Sequence, residues 1–219
     1  MNTMRQELED YFSIYFPHIQ IDSEITLSGQ ITVRFGSTED EFSETEQRIR
    51  QAVERGSLIF RDVFGKLDRP LWILVYEYED VEMFEYDSNY FFQQFTPGCT
   101  SEFETNEETV NARLIGIDDK GSDVFEKARA RITIGKAYFR DLEIEPILRG
   151  IANKENDIQP AIGQSVYFFD PVHHTGFHMF DDSGFFVWAT EVDKLRPIYN
   201  AYNHWISEYT REDIEPFFQ

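Results

Sequence analysis

The sequence predicts an α+β protein, on three observations. The first eighty residues alternate helical and strand patterns, the second half replaces them with short apolar stretches joined by turns, and the apolar content suffices for a sizeable core. Of 219 residues, 41% are hydrophobic and 16% aromatic, with Pro 8 and Gly 12 in number, which excludes a disordered or collagen-like chain. The expected arrangement is an N-terminal α/β portion, residues 1–108, packed on a C-terminal antiparallel sheet with flanking helices, residues 109–219. The length also permits one shared core.

The elements follow in order. Thr3 and Gln6 form a capping box, and Leu8, Tyr11, Phe12, Tyr15 and Phe16 lie along one helical face that Pro17 closes. Ile31, Val33 and Phe35 alternate as a half-buried strand. Thr38 and Glu41 announce a second helix carrying Phe42, Ile49, Val53, Ile59, Phe60, Val63 and Phe64, with Gly56 expected to bend or divide it. Leu71 to Tyr76 is a short apolar run after Pro70, the pattern of a strand buried on both faces. Strands are expected over 110–117 and 130–139, with 122–129 fitting neither class. Pro146 suits the first turn of a helix through Ile147, Leu148, Ile151 and Ala152. Residues 166–169, 177–180 and 185–188 predict an antiparallel meander, followed by a helix at 195–206 and a last short one from Thr210. Asp118 to Gly121 and Asp181 to Gly184 share the pattern of hairpin turns, because aspartate accepts local backbone hydrogen bonds and glycine takes positive φ cheaply.

Charge and cysteine usage narrow the function classes. A formal charge of −21 repels phosphate backbones and anionic lipid headgroups, which disfavours direct binding to nucleic acid or a membrane surface. The N-terminal residues lack the pattern of a secretory signal, and the longest apolar run is far short of the ~20 residues of a spanning helix. With the lone Cys99, which cannot form an internal disulfide, these features predict a cytoplasmic protein. Cys99 has no sequence-local base and reads as a loop or core thiol.

The most informative segment contains no lysine or arginine between Arg69 and Arg113. It carries Glu77, Glu79, Asp80, Glu82, Glu85, Asp87, Glu102, Glu104, Glu107 and Glu108, interleaved with aromatics that include Tyr86 and Tyr90. Acids steer a basic partner and aromatics anchor an interface, so Glu77, Glu79, Asp80, Glu82, Glu85, Tyr86, Asp87, Tyr90, Glu102 and Glu104 are the candidate partner-binding residues. A solvated acidic face with its aromatics turned inward explains the same pattern equally simply.

His173, His174 and His178, followed by Asp181 and Asp182, form a second candidate, since histidine with carboxylate can hold a divalent metal. Thr175-Gly176 reads as a turn between them, and no known zinc spacing is present, so neither a metal nor any other cofactor is expected. The sequence has no glycine-rich phosphate loop and no nucleophile elbow, and no set of carboxylates can be singled out as catalytic.

At the C-terminus, Phe169-Asp170, Phe180 to Gly184, Leu195 to Tyr199, Tyr202 to Ile206 and Arg211 to Ile214 resemble a bacterial family known only as a domain of unknown function. Its pattern is similar to FD…YDDRG-x-D…LRPLY-x-x-YNDWILDYDR-x-x-I. This chain departs from it at Ser183, Phe186, His204 and Thr210. The resemblance implies no activity. By analogy with small acidic bacterial proteins, it suggests an immunity protein neutralising a basic toxin. That non-enzymatic binder is the expected function. A metal-assisted hydrolase built on His174, His178 and Asp181, and a nucleic-acid mimic that inhibits a DNA-binding protein, are the alternatives.

Overall fold

In the computed structural model, residues 3–21, 31–38, 45–78, 89–99, 102–117 and 123–219 are described. Seven strands form one sheet: β1 (Ile31–Gly36), β2 (Pro70–Tyr78), β3 (Glu102–Ile117), β4 (Asp123–Tyr138), β5 (Ser165–Asp170), β6 (Thr175–Asp181) and β7 (Gly184–Ala189). Their order is β1-β7-β6-β5-β2-β4-β3, and every neighbouring pair is antiparallel. The helices are α1 (Met4–Tyr15), α2 (Thr45–Phe64), α3 (Ile144–Lys154), α4 (Val192–Ala201) and α5 (Glu208–Phe218). The α+β expectation holds.

The strand period sends alternate side chains to opposite faces, and each face finds its own helices. On one face Ile73, Val75, Phe168, Phe177 and Val187 pack with Ile59, Phe60 and Phe64 of α2 and Ile147 and Leu148 of α3. On the other, Leu74, Tyr76, Ile134, Phe169 and Trp188 pack with Leu8, Tyr11, Phe12 and Phe16 of α1 and the residues after it. The run from Leu71 to Tyr76 is continuously apolar because β2 lies inside the sheet between β4 and β5, buried on both sides.

The boundary drawn at residue 108 falls inside β3, and strands from either side of it alternate across the sheet: β1 pairs with β7, and β2 with both β4 and β5. Local signals held well. Thr3 caps α1, its side chain accepting the Gln6 N–H at 3.2 Å, and the 165–189 meander is present as β5, β6 and β7. Gly56, however, does not divide α2, which runs unbroken for 20 residues. A Cβ there would lie 3.0 Å from Leu148 Cδ1, so the glycine serves the close approach of α2 to α3. The segment 122–129 belongs almost wholly to β4, and α5 begins at Glu208 rather than at Thr210. Residues 39–44, where the second helix was expected to start, and 118–122, the expected first hairpin turn, lie outside the described residues.

Candidate interaction surface

Strand parity decides where the carboxylates go. On β3, Glu102, Glu104 and Glu108 face the side that α1 occupies, whereas Phe103, Thr105 and Glu107 face the other. Glu104 accepts the Met4 backbone N–H at 2.8 Å, and Glu108 is bound by Arg5, which also holds Glu9 at 2.8 Å. Lys136, opposite Glu102 on β4, reaches Glu7 at 2.6 Å and lies over the Trp72 ring. Glu102 itself is exposed and makes no ion pair among the described residues.

On the other face, Arg131 lies 3.0 Å from Glu77 and 3.6 Å from Glu107, and Arg129 lies 3.3 Å from Glu107. Beside them is an open cleft of about 300 Å³ lined by Glu77, Asn89, Phe92, Phe103, Thr105, Arg131 and Thr133. The Thr105 and Thr133 hydroxyls meet at 2.9 Å in its wall. Phe103 is edge-on to both Phe92 and Phe95 and covers Gly135, where an added Cβ would meet its ring at 2.3 Å. Tyr90 is half-buried, its ring close to Gly150 of α3.

The structure therefore does not gather the described candidates into one bare acidic field. Glu77 and Tyr90 lie on the cleft side, Glu102 and Glu104 on the α1 side, and Glu77, Glu104, Glu107 and Glu108 each have a cationic or N–H partner within the chain. The arginines come from positions outside the base-free interval, which is why the interval alone looked uncompensated. Glu79, Asp80, Glu82, Glu85, Tyr86 and Asp87 lie outside the described residues.

The histidines are dispersed as well. His178 sits on β6 with its ring stacked on Tyr167 at 4.1 Å and its Nδ1 2.9 Å from the Val166 carbonyl. Burial pushes its pKa down to about 4, against the smaller opposing effects of that carbonyl and Asp181. The Nδ1–H donates to Val166. His174, at φ 54, stacks on Tyr15 at 3.8 Å and meets the Tyr11 hydroxyl at 3.3 Å. Burial, then Lys194, lowers its pKa, while burial and the Asp170 charge raise that of Tyr11. Asp181 closes the β6–β7 hairpin by accepting the Ser183 N–H at 2.6 Å, as the turn reading expects. Among the described residues, no three His, Cys, Asp or Glu side chains are grouped so as to hold a metal ion.

Two buried carboxylates have structural roles that the sequence does not reveal. Asp170, fully buried, accepts from Arg69 Nη2 at 3.1 Å and the Val172 N–H at 2.9 Å, with His173 Nδ1 at 2.5 Å. Burial alone would raise its pKa, but the Val172 amide, His173 and Arg69 together hold it below the ordinary aspartate value. Asp182 binds Arg48 at 2.7 Å and Asn156 at 3.1 Å, tying the β6–β7 hairpin to α2 and the end of α3. Both aspartates stand in the family-like pattern, which was the available signal.

Among the described residues no helix is long and apolar enough to cross a membrane. The uncharacterized protein YnaE of Bacillus subtilis (strain 168) is 29% identical over 76 residues, covering 32% of this chain and 36% of that protein. The chain thus spans about a third of that relative's length. No solved structure matches the chain. The family described as Domain of unknown function (DUF3885) matches from residue 8 to residue 210, taking in every strand of the sheet, and the chain belongs to that family.

Proposed function

We propose that the protein is a non-enzymatic binding protein of the immunity type, which neutralises a basic toxin by covering its active surface. One observation carries the reading. β3 ends the sheet with an outer edge unpaired among the described residues, and Glu102, Glu104, Glu107 and Glu108 stand along that edge. The overall charge of −21 favours association with a cationic protein. Glu79, Asp80, Glu82, Glu85 and Asp87 extend the same base-free segment in sequence. Steric occlusion needs no reaction by this chain.

The hydrolase alternative has less support, because the His178 imidazole is enclosed and committed to the Val166 carbonyl. A phosphate mimic needs its carboxylates ordered on one surface, and those of β3 divide between two.

The test is co-expression with the product of the adjacent gene, followed by association kinetics of the purified pair. A complex should form and suppress that product's toxicity. Replacing Glu79, Asp80, Glu82, Glu85 and Glu102 by lysine should slow association about 10- to 100-fold at low salt and flatten its salt dependence. Unchanged kinetics, or no protection, would overturn the proposal.

A further inference from the structure

The two edges of the sheet are finished differently. The outer edge of β1 is covered by the chain before α5: Phe35 bridges Ile206, and the Ser207 N–H donates to the Arg34 carbonyl at 3.0 Å. The outer edge of β3 has no such cover among the described residues. From Glu102 to Asn111 it pairs with β4 in unbroken register, before irregularities between Asn111 and Arg113 and between Leu114 and Gly116. An edge of this kind presents every second N–H and C=O outward, and those groups require water or another strand.

We infer that this edge receives an extended strand from the basic partner, adding an eighth strand to the sheet beside Glu102–Asn111; the inference rests on the binding function proposed above. The side chains define the occupant. Glu104 and Glu108 are already engaged by Met4 and Arg5. The charges a newcomer meets are Glu102, exposed and unpaired among the described residues, and Glu107, 58% exposed, which it must draw away from Arg129 at 3.3 Å and Arg131 at 3.6 Å. These two are an odd number of positions apart along the strand and so lie on its opposite faces. A fitting strand carries one lysine or arginine toward each face, spaced to match, with threonine or valine between, so that cross-strand pairs are opposite in charge. A second copy of this chain would bring its own carboxylates to the same edge and is disfavoured by like-charge repulsion.

The probe is a synthetic ten-residue peptide of alternating threonine and valine with two lysines at that spacing. Its control has the same sequence N-methylated at every internal position, which keeps both charges and removes the hydrogen-bond donors. Binding is followed by amide hydrogen exchange and chemical-shift changes in the full chain. The unmodified peptide should slow exchange of the outward amides of residues 102–111 at least about tenfold, and the N-methylated form should bind about tenfold more weakly or worse. Glu102→Gln with Glu107→Gln should weaken the unmodified peptide and make its binding less sensitive to salt. Equal binding of the two peptides would reduce the contact to charge alone and overturn strand addition. So would the absence of binding at millimolar peptide. If the gene-neighbour complex forms without protecting these amides, strand addition falls and the partner reading stands; if the peptide adds but no complex forms, the reverse holds.

Discussion

Lowering the pH should destabilise this fold through His178 well before the carboxylates titrate. The ring is buried and stacked on Tyr167 of the neighbouring strand, and its folded pKa is about 4 against an ordinary value of 6.5. The sign follows from proton counts. Between those two values the unfolded chain takes up a proton that the folded chain refuses, so stability rises with pH across the window and is level above it. At ~1.4 kcal/mol per pH unit, the window accounts for ~3 kcal/mol, a large share of the stability of an ordinary domain. His178→Phe keeps an aromatic ring against Tyr167 and removes the titration, while forgoing the bond to Val166 at a cost of about 1 kcal/mol at neutral pH. Urea unfolding of both proteins between pH 7.5 and 4.5 checks this. The native protein should lose stability steadily below pH 6.5, whereas the variant should start lower and fall less steeply, keeping only the slope that His174, whose pKa is also lowered, contributes, so that the curves converge or cross. Parallel curves would refute the argument, because they would mean that His178 is protonated in the folded protein or that another group governs the slope. Asp181, the carboxylate that acts on His178, favours the charged ring, and burial outweighs it.

Other perturbations test separate parts of the structure. Asp170→Asn should cost about 2–4 kcal/mol at neutral pH, since it leaves Arg69 without its buried counter-charge; as the folded carboxyl pKa is lowered, the difference from the native protein should fade as pH drops through the acid range below 4, read by chemical denaturation. Gly176→Ala should be strongly destabilising, by about 1–3 kcal/mol or more, because the new Cβ would meet the Trp188 ring at 2.2 Å in the β6–β7 pair; the melting temperature reads this directly. Glu102→Gln with Glu107→Gln should promote concentration-dependent self-association, measured by sedimentation, if the acids guard the β3 edge. Zinc or manganese at stoichiometric concentration should leave the melting temperature unchanged, because His174, His178 and Asp181 are not arranged to share an ion; a specific shift lost in His178→Phe would restore the hydrolase reading.

Legibility in the sequence followed the range of the physics. The Thr3 cap, the alternation of β1, the doubly buried run of β2 and the Asp181 turn are settled within a few residues, and each was readable. Gly56 was misjudged because its role depends on Leu148, about ninety residues away in the chain. Residues 102–109 were read only as acids, although Glu-Phe-Glu-Thr already alternates as a strand does; charge drew attention away from period. The compensation of that acidity was invisible for the same reason as Asp170. Arg5, Arg129 and Arg131 reach Glu108, Glu107 and Glu77 only through the pairing of β4 with β3 and with β2 and the placement of α1. A run without bases in sequence is not a surface without bases.

That distinction changes what the acids of β3 can do. Had they all been solvated on one face, they would act as a long-range field and little else, attracting any cation with poor discrimination. With most of them paired inside the chain, the local field is reduced; Glu102 is left unpaired among the described residues and Glu107 is shared with Arg129 and Arg131, on opposite faces of a single strand edge. The same placement serves two ends: it repels another acidic edge and admits a basic one, since the backbone groups that invite pairing are identical in both cases and only the side chains discriminate. Affinity from main-chain hydrogen bonds with specificity from two oppositely directed charges is a narrower demand on a partner than net charge alone, and a toxin surface lacking an extendable basic strand would fail it however positive it was.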